Sequence, residues 1–174
     1  MGNDSSKKII IFDIDETLIK AYDNDPGGKR DILNFHGKKF FIKKRPGCDL
    51  LLKTCLKKYN IGIWSNGDSE YVNSIVDLLF EGKEKPVFVY TRDNSINIRN
   101  VLTKQLELID RKIEDLLIID DNFNVINNFN NAIIIPKFNG DERDNILIEL
   151  NNWINKLPSN PKFNKIIKPD FRYK

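Results

Sequence analysis

Lys8-Ile9-Ile10-Ile11-Phe12-Asp13-Ile14-Asp15-Glu16-Thr17-Leu18 is the stretch on which the fold turns. Its first half is a continuous apolar run with three β-branched residues in a row, the pattern of a strand buried on both faces of a parallel sheet. The run stops on Asp13, and a second carboxylate, Asp15, follows two residues on. Two carboxylates this close repel unless a cation lies between them, and Mg2+ takes hard oxygen ligands of this kind. An Asp-Xaa-Asp after a strand also starts loops and caps helices, so its meaning depends on the rest of the chain.

Outward from that strand, helical and strand patterns alternate. Tyr22 to Asp31 contains Asp23-Asn24-Asp25-Pro26-Gly27-Gly28, a turn-rich loop, and Asn34 to Lys43 holds two apolar segments about His36-Gly37-Lys38, which predicts a hairpin or flap. Pro46-Gly47 opens a helix through about Tyr59, with Leu50, Leu51, Leu52, Cys55 and Leu56 on its apolar side. Further strands are expected at 59–65, 87–90, 116–121 and 132–135, and further helices from Asp68 or Ser69, over 98–109, and over 141–157 up to Pro158. Such alternation predicts a mostly parallel sheet with helices on both faces and a site beyond the carboxyl ends of the strands. A leader is expected at 1–7, one domain at 8–157 with its flap at about 20–44, and a tail at 158–174 that follows the surface or is loose.

The chain has 174 residues, enough for one α/β domain with its own core. Lys and Arg number 28 against 25 Asp and Glu, a formal charge of +3 that leaves an anionic substrate open without calling for nucleic acid or membrane. Cys48 and Cys55 lie two helical turns apart, and His36 is the one histidine, so zinc spacing is absent and both cysteines read as core residues of a reducing compartment. No run is apolar enough to span a bilayer, and no secretory signal is visible. Met1-Gly2-Asn3-Asp4-Ser5-Ser6 fits the permissive N-myristoylation pattern at Gly2, beside the plainer reading of a disordered leader.

Three expected strand ends carry polar groups: Asp13, Ser65-Asn66 and Asp120-Asp121. Asp13 suits attack on phosphorus with formation of an aspartyl phosphate, and Asp15 suits protonation of the leaving oxygen and later activation of water. Ser65, Asn66 and the backbone at Gly67 can donate to phosphate oxygens, although Asn-Gly is also a common turn. Lys104, just ahead of the third acidic strand, is the best-placed fixed cation. Two acids closing a buried strand, Asp120 and Asp121, are costly unless a metal or a cation receives them. The order of acid pair, hydroxyl, lysine and acid pair is far more specific than any member.

With these motifs the sequence resembles the haloacid dehalogenase (HAD) superfamily of phosphatases. More narrowly it resembles the RNA polymerase II C-terminal-domain phosphatases and their NLI-interacting-factor-like relatives. Asp13-Ile14-Asp15-Glu16-Thr17-Leu18 matches the first motif, Ile63-Trp64-Ser65 the second, Lys104 the third and Asp120-Asp121 the fourth. Lys44-Arg45-Pro46-Gly47 matches the Arg-Pro-Gly before the next helix, and Thr91-Arg92-Asp93 falls where the family carries an Arg after a strand. The resemblance covers about 8–157. It implies an α/β, Rossmannoid three-layer sandwich with a mostly parallel sheet and a small flap. It implies Asp13 as nucleophile and Asp15 as acid/base, with Mg2+ on Asp13, the Asp15 carbonyl and Asp121. Thr17, Ser65, Asn66 and Lys104 would hold phosphate or orient the nucleophile, with Asp120 and Arg45 in support. The implied substrate is a phosphoserine or phosphothreonine protein in the cytoplasm or nucleus. A nucleic-acid or nucleotide end phosphatase and a non-catalytic scaffold are the alternatives.

Overall fold

A computed structural model describes residues 7–171. Gly2, the candidate for acylation, lies outside the described residues. The elements are β1 (Ile9–Phe12), β2 (Ile19–Tyr22), β3 (Asp31–Phe35), β4 (Lys38–Lys44), α1 (Cys48–Lys58), β5 (Asn60–Trp64), α2 (Ser69–Leu79), β6 (Phe88–Tyr90), β7 (Ile96–Ile98), β8 (Val101–Thr103), β9 (Leu116–Asp120), β10 (Ala132–Ile134) and α3 (Ile146–Lys156).

β1 lies at the centre of a five-stranded sheet of order β10-β9-β1-β5-β6, parallel throughout. Every residue of β1, β5 and β9 is buried, which explains their unbroken apolar runs. Alternate side chains serve two cores. Ile10, Phe12, Ile61, Ile63, Leu117 and Ile119 meet the inner faces of all three α-helices, including Leu51, Val76 and Leu150. Ile9, Ile11, Leu116 and Ile118 face the other way, onto Leu106, Ile109, Val125 and Ile126. The expectation of helices on both faces is met unevenly: the second face carries short 3₁₀ turns in place of α-helices.

The flap is a three-stranded antiparallel sheet, β2-β4-β3. Its hairpin turns at His36-Gly37, as expected, while β2 was not foreseen. Gly47, with φ +85, lets the chain turn into α1, and a Cβ there would stand 2.9 Å from the Ile148 side chain on α3. Within α1, Leu50 faces solvent, contrary to its expected place on the apolar side. Cys48 and Cys55 are free and buried on the inner face.

Three stretches depart from the sequence reading. The helix expected over 98–109 is instead the β7–β8 hairpin followed by a 3₁₀ turn at Leu106–Leu108. Arg99 and Asn100 both have positive φ, 49° and 66°, the two-residue turn that matches strand twist. The Ile, Val and Thr residues around it prefer the extended state, and a bridge from Lys104 to Ile126 continues it. α3 begins at Ile146, several residues later than expected, because the Asp141 and Asp144 carboxylates accept from the Arg143 and Ile146 amides in tight turns first. The segment after Pro158 is not loose: Phe163 and Phe171 are buried in the larger core, and Phe163 packs on Tyr59.

Candidate active site

The register brings the strand ends together. Phe12 pairs with Ile63 on one side and Ile119 on the other, so Asp13 emerges level with Asp120 and one residue short of Ser65. The Asp13 amide donates to the Ile119 carbonyl at 3.0 Å, continuing the ladder one step. Beyond it, Glu16 sits in the left-handed region with φ 62°, and its amide and carbonyl are fixed by Ile19 and Phe138. This tight turn presents Asp13 and Asp15 to one cleft of about 410 Å³, which Ser65, Lys104, Asp121 and Lys137 also line.

Lys104 is the centre of the charge arrangement. It is only 2% exposed, and its ammonium donates to Asp13 Oδ1 and Asp120 Oδ2, each at 2.6 Å. Burial would push Lys104 down, but the two carboxylates outweigh it and hold it above its ordinary range. Burial likewise pushes Asp13 up, with a contribution from the Asp120 charge, against the pull of Lys104, and leaves it at about 8. Asp15 is raised by burial, opposed by a hydrogen bond from Tyr71. Asp121 is raised by burial and then by the Asp120 charge.

One carboxylate oxygen each from Asp13, Asp120 and Asp121 lies within 4.8 Å of the others. Five carboxylates (Asp13, Asp15, Glu16, Asp120 and Asp121) thus line the cleft against three lysines, the buried Lys104, Lys20 and, 3.7 Å from Asp121, Lys137. A hard divalent cation fits this oxygen-rich, net-negative set and would relieve the burial cost. Asp15 stands outside this trio with its Oδ1 held by Tyr71, and Asp120 already accepts from Lys104 and from the Asn122 amide at 2.8 Å.

Other residues singled out in the sequence take more specific places. The Thr17 hydroxyl donates to Asp121 Oδ1 at 3.0 Å, away from the cleft lining. Ser65 lines the cleft, with its hydroxyl accepting from the Gly67 amide at 3.1 Å. Asn66 also lines it, but its side-chain amide donates to Leu102 O in β8 at 2.8 Å and its Oδ1 accepts from Ser95 just before β7, so both ends are tied down. Arg45 lies outside the cleft. It forms a two-pronged pair with Asp144 at 2.9 and 2.8 Å and donates to the Thr17 carbonyl at 3.3 Å, bracing the loop behind Asp15. Arg92 keeps an exposed side chain, and its amide donates to Gly67 O.

Two members escaped the sequence reading. Lys137, which pairs with Glu16 at 2.8 Å, follows Pro136 after β10, and its strand-end position was the available signal. Tyr71 read as one apolar residue of a helix, yet its hydroxyl donates to Asp15 Oδ1 at 2.6 Å.

The sequence matches the family described as NLI interacting factor-like phosphatase over residues 8–164. The chain belongs to this family. Among curated relatives, CTD nuclear envelope phosphatase 1B of Danio rerio is 24% identical over 161 residues, covering 85% of this chain and 66% of the relative. CTD nuclear envelope phosphatase 1 homolog of Drosophila melanogaster is 27% identical over 157 residues, covering 83% of this chain and 65% of the relative. The chain therefore spans just under two thirds of their length. The solved structure of Fcp1, an essential RNA polymerase II CTD phosphatase, shares the fold with a TM-score of 0.63 at 22% identity, over 76% of this chain and 42% of that one. The NLI-type assignment agrees with the resemblance carried by the first-motif aspartates. Among the described residues, no helix is long and apolar enough to cross a membrane.

Proposed function

We propose that the chain is a Mg2+-dependent phosphatase that cleaves phosphomonoesters through an aspartyl phosphate on Asp13, and that its substrate is a phosphoserine or phosphothreonine protein. The observation that carries the reading is one cleft holding Asp13 fixed by Lys104 and, two residues on, Asp15 fixed by a tyrosine. Asp13 attacks phosphorus, the bond from phosphorus to the leaving oxygen breaks, and Asp15 donates the proton that oxygen needs. Asp15, now a carboxylate, takes a proton from the water that hydrolyses the phosphoaspartate, which releases phosphate and restores both acids. The upward shift of Asp15 by burial favours the protonated form with which the sequence starts.

Ser65 and the Lys104 ammonium meet the phosphate oxygens and the developing charge. Asp13, Asp121 and the Asp15 carbonyl would hold Mg2+, which when bound adds positive charge against the phosphoryl oxygens. A protein substrate accords with the CTD phosphatase names of the relatives and with a flap of only three short strands beside the cleft. An intracellular setting goes with that substrate.

The test is Mg2+-dependent hydrolysis of a simple phosphate ester by the parent and by Asp13→Asn. The variant is expected to lose at least about 10³-fold in kcat; full activity in the variant overturns the mechanism. Phosphopeptides assayed beside 3′-phosphorylated oligonucleotides then decide the substrate class, and faster turnover of the oligonucleotides would sink the protein-substrate reading.

A further inference from the structure

We infer that Tyr71 is the positioning residue for the acid/base: its hydroxyl fixes Asp15 Oδ1 and leaves Oδ2 as the oxygen that carries the transferred proton. The inference rests on the role proposed for Asp15 above. Tyr71 stands in the first turn of α2, whose start is fixed by the Asp68 side chain accepting from the Glu70 amide at 3.0 Å. Its hydroxyl reaches Asp15 Oδ1 at 2.6 Å across 56 positions of sequence. Its ring is clamped from the flap side by Phe35, 6.2 Å away between centroids, and by Phe40, 6.4 Å away, both edge-on. On the other side it lies close over Gly67: a Cβ there would be 3.3 Å from the ring and 3.0 Å from Val72. Helix, flap and the loop after β5 thus converge on one hydroxyl.

The chemistry follows from which oxygen is occupied. An oxygen that accepts the Tyr71 hydrogen bond presents that donor with its lone pair, so the acidic proton of Asp15 resides on Oδ2. When Asp13 bonds to phosphorus and the leaving oxygen departs, the Oδ2 proton passes to that oxygen, and the electron pair of the O–H bond stays on the carboxylate. Tyr71 keeps its own proton throughout, and burial together with the neighbouring Asp15 holds the phenol well above its ordinary range. Its hydrogen bond becomes charge-assisted as Asp15 ionises, so it strengthens along the reaction coordinate.

The experiment is Tyr71→Phe, which keeps the ring and removes the donor. kcat/KM is measured for a phosphoserine peptide, whose alkoxide leaving group needs the proton, and for 4-nitrophenyl phosphate, whose phenolate leaves without one. A loss of about tenfold or more on the peptide and less than about twofold on the aryl ester is expected. Equal losses on both esters, as a merely structural role gives, or no loss on either, overturn the inference. Asp13→Asn is run alongside. If that variant remains active, or if the parent cleaves neither ester, the phosphatase reading itself falls; an inactive Asp13→Asn with equal losses in Tyr71→Phe removes only the role of Tyr71.

Discussion

Asp13 and Lys104 share a site in which neither would be stable alone. Asp13 is 7% exposed, and its carboxyl is raised to about 8 because burial outweighs the neighbouring ammonium. Below the ordinary carboxylate range, folded and unfolded chains both hold that proton; from there up to about pH 8 only the folded chain does. Over that window Asp13 therefore lowers stability as pH rises. A divalent cation favours the ionised carboxylate, so the rise in Tm on adding Mg2+ should be larger at about pH 8 than at about pH 6. Paired thermal melts check this, and a shift that stays constant or shrinks toward pH 8 would rule out the proposed metal position. At this scale the sequence was most legible where chemistry sits at a strand end, as with Asp13, Asp15, Ser65 and the two acids after Ile119. It was least legible where the partner comes from a distant element. Nothing local marks Tyr71 as the donor to Asp15, and the Thr17 hydroxyl likewise finds its acceptor, Asp121, on a distant strand end.

Arg45 shows how elements are locked around the catalytic loop. It follows β4, is almost wholly buried, and joins the carbonyl of Thr17 to Asp144 ahead of α3. Arg45→Met removes one partner of a nearly buried ion pair and leaves the Asp144 carboxylate without its guanidinium. A loss of about 3 kcal/mol is expected in urea unfolding, together with reduced turnover because the loop behind Asp15 loses its brace. An unchanged urea midpoint would contradict this account of the pair. The same scale explains the main misreading of the chain. Residues 98–109 have apolar spacing that suits a helix, but β-branched side chains around Arg99-Asn100 favour a hairpin, and pairing of Lys104 with Ile126 keeps the backbone extended there. That extension delivers the Lys104 ammonium into the cleft. Helical periodicity was present in the sequence, but the local hairpin pairing overrides it, and the bridge that holds Lys104 comes from Ile126, more than twenty positions on.

The whole molecule is one parallel sheet with an α-helical side and a side of short turns, closed by the segment after α3. The Tyr59 hydroxyl and Lys58 ammonium hold that segment at its start, on the carbonyls of Pro158 and Leu157, and Phe163 enters the main core behind them. Phe163→Ala should therefore cost about 3–5 kcal/mol and lower the thermal midpoint, although residue 163 lies far along the chain from the cleft. A change within about 0.5 kcal/mol would show that the segment is dispensable. The sheet was legible because doubly buried strands are written as apolar runs, whereas the closing segment was not, since two phenylalanines among prolines and lysines show no period. One last feature of the core gives the protein a built-in gauge of its own opening. Cys48 and Cys55 sit on the inner face of α1, and burial pushes both thiols up, Cys48 to about 12. A thiol-modifying reagent thus finds no reactive sulfur until α1 lifts from the sheet, and the pace of modification reads how often that helix lets go.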